Sequence, residues 1–232
     1  MISIEKYADK IKLPYLLHFT NIKNLPSIFE HGLCPREPGV RITSVSDAEA
    51  IKIFSNDNLR LDGHKNSVSL SIAFPNCKMF YRIRQDHEDD SFCILVLSKS
   101  ILWNYECAFC KHNAADKLIS SQDISSLMNV ESFQGMYNEI DGIESRKDQK
   151  LKTFDPTDVQ AEVLVFGTIK KSDIQGIVFP NSKTQADFTS HIKKVKTEST
   201  SNTENIKTVI HPENKFFYSD RKYTRKYYPE WQ

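Results

Sequence analysis

The run Val159-Gln160-Ala161-Glu162-Val163-Leu164-Val165-Phe166 restricts this chain more than any other stretch. A continuous apolar segment of this length reads as a buried strand. Its lone acidic residue, Glu162, conflicts with that reading. A single carboxylate is costly to desolvate unless something pairs with it. Either Glu162 sits on an edge strand that wets its side chain, or the strand is the wall of a site.

At 232 residues the chain suits one large domain or two small ones and can bury a substantial core. A formal net charge of +1 gives no global field toward a partner. The segment 215–228 is different. It carries Lys215, Arg221, Lys222, Arg225 and Lys226 against Asp220, interleaved with Phe216, Phe217, Tyr218, Tyr223, Tyr227 and Tyr228. Five cysteines, an odd number, fit reduced thiols better than a disulfide framework. The opening Met1–Lys6 lacks the basic end and apolar core of a signal peptide. No apolar run approaches the ~20 residues that span a bilayer. These features predict a soluble, cytoplasmic protein with no membrane role.

Local patterns predict short strands mixed with short helices. Residues 15–20 read as a strand, followed by a helix with Asn24 as N-cap, Pro26 in its first turn and Gly32 as its stop. A second short helix is expected over 47–54, and a turn at Asp62-Gly63. Strands follow over 67–72 and 92–97, with helical stretches over 124–128 and 133–137. Residues 144–152 read as a solvated loop, 177–179 as a strand, and Ser182 as the cap of a helix reaching Lys194. Residues 196–205 read as a loop. One α+β domain on antiparallel sheets, spanning 1–232, accounts for this order.

Several residues offer chemistry. His18 and Thr20 end the first strand, where imidazole and hydroxyl can hydrogen-bond a ribose or an amide. The plain alternative is strand-end side chains satisfied by backbone. Cys107-Ala-Phe-Cys110-Lys-His112 has metal-like spacing, but no second Cys-x-x-Cys completes a zinc set. Arg60 can clamp a phosphate or simply face water in a turn. There is no Walker A loop, no Gly-x-Gly-x-x-Gly and no Gly-x-Ser-x-Gly. Any nucleotide must therefore bind without a glycine-rich cradle. The basic-aromatic tail fits single-stranded nucleic acid, or equally a terminal strand or coil whose aromatics seal the core while its charges face water.

In order along the chain, five segments resemble the DarT family of DNA-directed mono-ADP-ribosyltransferase toxins. They are Tyr15 to Leu33; Arg60-Leu-Asp62-Gly63 with Ser67 to Phe80; Ala108 to Ala115; Asp158 to Val165; and Tyr228-Pro-Glu-Trp231. The resemblance implies the ADP-ribosyltransferase fold, a split antiparallel β core holding NAD+ in a cleft with helices around it. His18 and Thr20 would bind the nicotinamide-side ribose and amide, with Asn24 nearby. Glu162 would be the catalytic glutamate. Arg60 would contact the NAD+ phosphates and assist the target base. Asn113 and Gln160 would face the substrate, and the loop 135–157 would recognise the target. No metal is implied.

The same resemblance implies pentosyl transfer from NAD+ to a base of single-stranded DNA, and a neutralising antitoxin, a macrodomain or similar hydrolase that removes ADP-ribose. Thymidine-modifying members carry a more aromatic segment where this chain has Ser69-Leu-Ser71-Ile, which is closer to the guanosine-modifying branch. Two alternatives stay open: a transferase of the same fold acting on RNA or protein, and an inactive nucleic-acid-binding relative.

Overall fold

The computed structural model describes residues 2–35, 63–87, 91–186, 188–189, 207–210 and 219–228. Seven strands form its sheet: β1 (Leu16–Asn21), β2 (Ser67–Ile72), β3 (Phe92–Leu97), β4 (Cys107–Cys110), β5 (Glu162–Phe166), β6 (Ile174–Phe179) and β7 (Lys207–Ile210), in the order β4-β5-β2-β1-β3-β6-β7. Pairing is antiparallel except between β6 and β7, which run parallel.

The sheet is split. β1 pairs with β3 along its full length, and β2 pairs with β5 from Ser67 to Leu70. Between the two halves, β1 meets β2 only at Leu16↔Ile72 and Leu17↔Ser71. Beyond Leu17 the two strands diverge and leave a fork. The alternation of side chains along each strand sorts the core into layers. Leu16, Leu70, Ile72, Leu95, Val163 and Val165 enter the largest apolar cluster. Leu17, Phe74, Phe80 and Ile94 build a second on the other face, and Ala108, Cys110 and Leu164 a third.

Expected elements reappear with changed edges. The helix after β1 runs Leu25–His31 and ends at Gly32, whose φ of 85° suits glycine. A Cβ there would stand 2.5 Å from the carbonyl oxygen of Ile169. That close approach lets Leu33 and Ile169 exchange backbone hydrogen bonds. Periodicity missed the helix Ile4–Lys10, capped by Ser3, and the helix Cys77–Asp86, capped by Asn76. The expected helix over 47–54 and the loop 196–205 lie outside the described residues. Of the helix expected from Ser182, residues 182–186 are helical. Among the described residues no helix is long and apolar enough to cross a membrane.

Candidate active site

Glu162 is the first residue of β5, not an interior one; residues 158–161 turn sharply before it, with the Ala161 N–H donating to the Asp158 carbonyl at 3.1 Å. β5 lies between β4 and β2, so the edge-strand account of Glu162 fails. The side chain is only 6% exposed. Asn113 Nδ2 donates to Oε1 at 3.1 Å, and the Ala114 N–H donates to Oε2 at 3.1 Å. These donors replace part of the water that a carboxylate would otherwise keep. They come from the segment just past β4, whose last residue, Cys110, pairs with Glu162.

A buried pair braces that segment. His112 Nδ1 and Asp158 Oδ2 are 2.8 Å apart, both side chains largely out of solvent. His112 precedes Asn113, and Asp158 lies in the turn that leads to Glu162. The pair therefore ties the donor segment to the carboxylate's own approach. Sequence reasoning missed it, since nothing in the spacing of His112 and Asp158 joins them. The Cys107–His112 metal reading fails for the same reason. Cys107 and Cys110 project from opposite faces of β4, the Cys107 thiol donates to the Ile101 carbonyl at 3.6 Å, and His112 is committed to Asp158. Among the described residues no group of three or more His, Cys, Asp or Glu is placed to hold a metal.

On the other side of the fork, His18 Nδ1 lies 3.0 Å from the Ser69 carbonyl oxygen. A carbonyl only accepts, so Nδ1 carries the hydrogen of this bond. Ser69 pairs with Leu164, two residues beyond Glu162. β1 and β5 thus flank the same strand. Thr20 is buried, and its Oγ1 accepts from Asn24 Nδ2 at 3.0 Å. Asn24 occupies the N-cap position of the following helix but makes no side-chain capping bond; its backbone is already helical there, and its amide NH2 donates to Thr20. Asn21 does the local capping, accepting from the Lys23 N–H at 3.0 Å.

Glu162 and Asn113 are thus directly joined, as are Thr20 and Asn24, while His18 reaches the strand between them. Gln160 is half-buried in the turn, its N–H bonded to Asp158 Oδ1 at 2.9 Å. Arg60 lies outside the described residues.

Comparison with known proteins gives the family and the fold. The chain matches the family described as "DarT: ssDNA thymidine ADP-ribosyltransferase, DarT" over residues 17–218. It belongs to the DarT family. Two solved structures share the fold. Thermosipho africanus DarTG in complex with ADP-ribose is 18% identical with a TM-score of 0.52, the match covering 86% of this chain and 50% of that one. The chain thus spans half the length of that relative. Thermus sp. 2.9 DarT in complex with ADP-ribosylated ssDNA is 12% identical with a TM-score of 0.51, covering 88% of this chain and 97% of that one. The fold is the α+β ADP-ribosyltransferase fold. Curated protein sequences give no match.

The tail of this DarT-family chain reverses its expected orientation. Residues Arg221–Tyr227 form a helix, neither strand nor coil. Its arginines point inward. Arg225 holds Asp155 in a bidentate ion pair, both bonds 2.7 Å and both side chains fully buried. Arg221 donates to the carbonyls of Pro156 at 2.8 Å and Thr157 at 3.1 Å. Burial pushes its guanidinium pKa down, and Asp155 pulls it back up. Arg146, expected in a solvated loop, also turns inward to the Asp155 carbonyl at 2.7 Å and the Lys152 carbonyl at 2.9 Å. Three arginines thereby fasten the segment that leads into the Glu162 strand. The spacing of Arg221 and Arg225, one helical turn apart, was the available signal.

Proposed function

We propose that this chain is an NAD+-dependent mono-ADP-ribosyltransferase that moves ADP-ribose onto a base of single-stranded DNA, acting as a toxin through a single transferase domain over 1–232. The observation that carries the reading is the buried Glu162 carboxylate, gripped at both oxygens beside the fork of a DarT-family sheet.

Cleaving the bond between nicotinamide and ribose builds positive charge at the anomeric carbon. A carboxylate near the ribose 2′-hydroxyl stabilises that charge most where it is greatest, in the transition state. Asn113 and Ala114 hold Glu162 in place, so little reorganisation is needed as the charge appears. The polar groups at the fork suit NAD+: the His18 imidazole, a buried hydroxyl at Thr20 and the Asn24 amide beside it for ribose and carboxamide. With no glycine-rich cradle, the phosphates fall to a cation, the role assigned to Arg60. Asn113 and Gln160 would meet the acceptor base. Arg60 would also assist loss of the base's proton, a step for which guanidinium is a poor base on its own.

Single strands are the fitting acceptor because a duplex base must first be unstacked at a cost of a few kcal/mol. The family description names thymidine. The Ser69-Leu-Ser71-Ile segment favours guanosine here. A toxin of this kind also calls for a partner that removes ADP-ribose, a macrodomain or similar hydrolase.

Mass spectrometry of a randomised single-stranded DNA pool after incubation with NAD+ tests the activity, the base and its context together. One ADP-ribose on guanosine is the expected product. Transfer to thymidine would correct the base alone, and absence of any adduct would remove the function. Label from NAD+ that is lost only to protease or ribonuclease would move the activity to another acceptor.

A further inference from the structure

We propose that the helices Cys77–Asp86 and Arg221–Tyr227 together form a surface on which single-stranded DNA stacks as it approaches the site. The proposal rests on the single-stranded DNA reading above and adds to it a place of binding. Among the described residues four large hydrophobic side chains are exposed. Three of them are tyrosines on these two helices: Tyr81 at 60%, Tyr223 at 48% and Tyr227 at 56%.

Their exposure runs against the ordinary sorting of a helix. Burying an arginine costs desolvation, whereas burying a tyrosine ring is favourable. The helix Arg221–Tyr227 does the opposite. Arg221 and Arg225 go inside and the tyrosines remain in water. Tyr223 and Tyr227 sit one turn apart with ring centroids 4.8 Å apart and planes tilted by 47°, a paired aromatic patch that stays about half exposed.

Charge points to the kind of partner. A groove of about 320 Å³ lies between the first helix and the start of the second, lined in part by Lys78, Tyr81 and Arg84 on one side and by Ser219 and the N-cap Asp220 on the other. Asp220 is engaged in capping, accepting from the Tyr223 N–H at 3.1 Å. Nearby acids are likewise answered: Glu144 by Lys222 at 2.6 Å and Asp86 by Arg82 at 3.8 Å. Lys78 lines the groove beside Tyr81, and Lys226 Nζ lies 5.1 Å from the centre of the Tyr227 ring, so cations accompany the tyrosines on both helices. Rings that take bases and cations that follow phosphates are the recognition chemistry of single-stranded nucleic acid. Both helices are also tied to the strands around the site. The first begins at Asn76, whose N–H donates to Ser71 Oγ of β2, and the second holds Asp155 and Thr157 ahead of Glu162.

The test uses the full chain and a fluorescent single-stranded oligonucleotide of about 15 nucleotides, long enough to cross such a surface. Anisotropy without NAD+ reads binding directly. Replacing Tyr81, Tyr223 and Tyr227 together by alanine should weaken binding by roughly 10- to 100-fold, and replacing them by phenylalanine should restore it. Transfer to an oligonucleotide of about four nucleotides should be unchanged, while the longer substrate loses its advantage in KM. Equal binding by the alanine variant and wild type overturns the proposal, as does failure of phenylalanine to restore it. If wild type binds through these rings but transfers no ADP-ribose, the proposed activity fails and the surface stands. If transfer proceeds and the rings have no effect, the surface alone fails.

Discussion

His18 Nδ1 hydrogen-bonds the Ser69 carbonyl at 3.0 Å just past the last backbone pair between β1 and β2, Leu17↔Ser71. A side chain therefore bridges the strands where their ladder has ended. It sets the opening of the fork and holds the imidazole in one orientation. His18→Ala should cost about 1–2 kcal/mol of stability through the abandoned carbonyl. It should also lower kcat/KM for NAD+ by roughly 100-fold, the equivalent of two such bonds at 1.4 kcal/mol per decade. Nicotinamide release at varied NAD+ checks it, and a variant with unchanged kcat/KM would remove His18 from the site.

Glu162→Gln keeps the shape of the side chain and removes its charge. Transfer should fall by roughly 100- to 1,000-fold, the scale of losing one electrostatic stabiliser. The amide oxygen can still accept from one of the two donors, but its NH2 must face the other, so stability should fall by about 1–3 kcal/mol while the fold persists by circular dichroism. Wild-type transfer by this variant would remove Glu162 from catalysis.

Asn113→Ala removes the donor to Oε1 and leaves the Ala114 N–H to Oε2 in place. An intermediate loss, roughly 10- to 100-fold in kcat, is expected, with the fold intact by circular dichroism. Asn113→Asp should be worse than Asn113→Ala, because it sets a second carboxylate against Glu162.

Arg225 and Asp155 form a fully buried pair, so removing either partner strands a charge. Arg225→Ala and Asp155→Ala should each destabilise by about 3–5 kcal/mol, and the double variant by less than their sum. Urea denaturation gives the cycle. Additive losses would mean that the pair carries no coupling.

Alkaline pH should unfold this protein early. Burial pushes the Cys107 thiol from its ordinary 9.0 up to about 12, and the Tyr15 hydroxyl from 10.0 up to about 12. Burial drives the Cys93 thiol upward as well. Each group stays protonated in the fold while the unfolded chain has already lost its proton. Their contribution is complete below pH 9 and is lost as pH rises toward about 12. The slope is up to ~1.4 kcal/mol per pH unit for each such proton. Urea midpoints that hold steady across that window would contradict the burial of these groups.

The strand run at Glu162, the His18–Thr20 strand end and the absence of a glycine-rich cradle were all legible along the chain, because each is a matter of local residue order. Periodicity placed the cores of β1, β2, β3 and β5 and the helix ending at Gly32. The helices Ile4–Lys10, Cys77–Asp86 and Arg221–Tyr227 escaped it, since short amphipathic segments with polar faces carry little one-dimensional contrast. Tertiary structure alone decided that β5 is an interior strand, for strand order depends on long-range pairing that local patterns do not encode. It alone joined His112 to Asp158 and Asn113 to Glu162, contacts that span 46 and 49 residues. It also turned the tail inside out. Composition showed five cations among aromatics, but only the acidic and carbonyl partners at 155–157 could draw Arg221 and Arg225 inward and leave the tyrosines facing water.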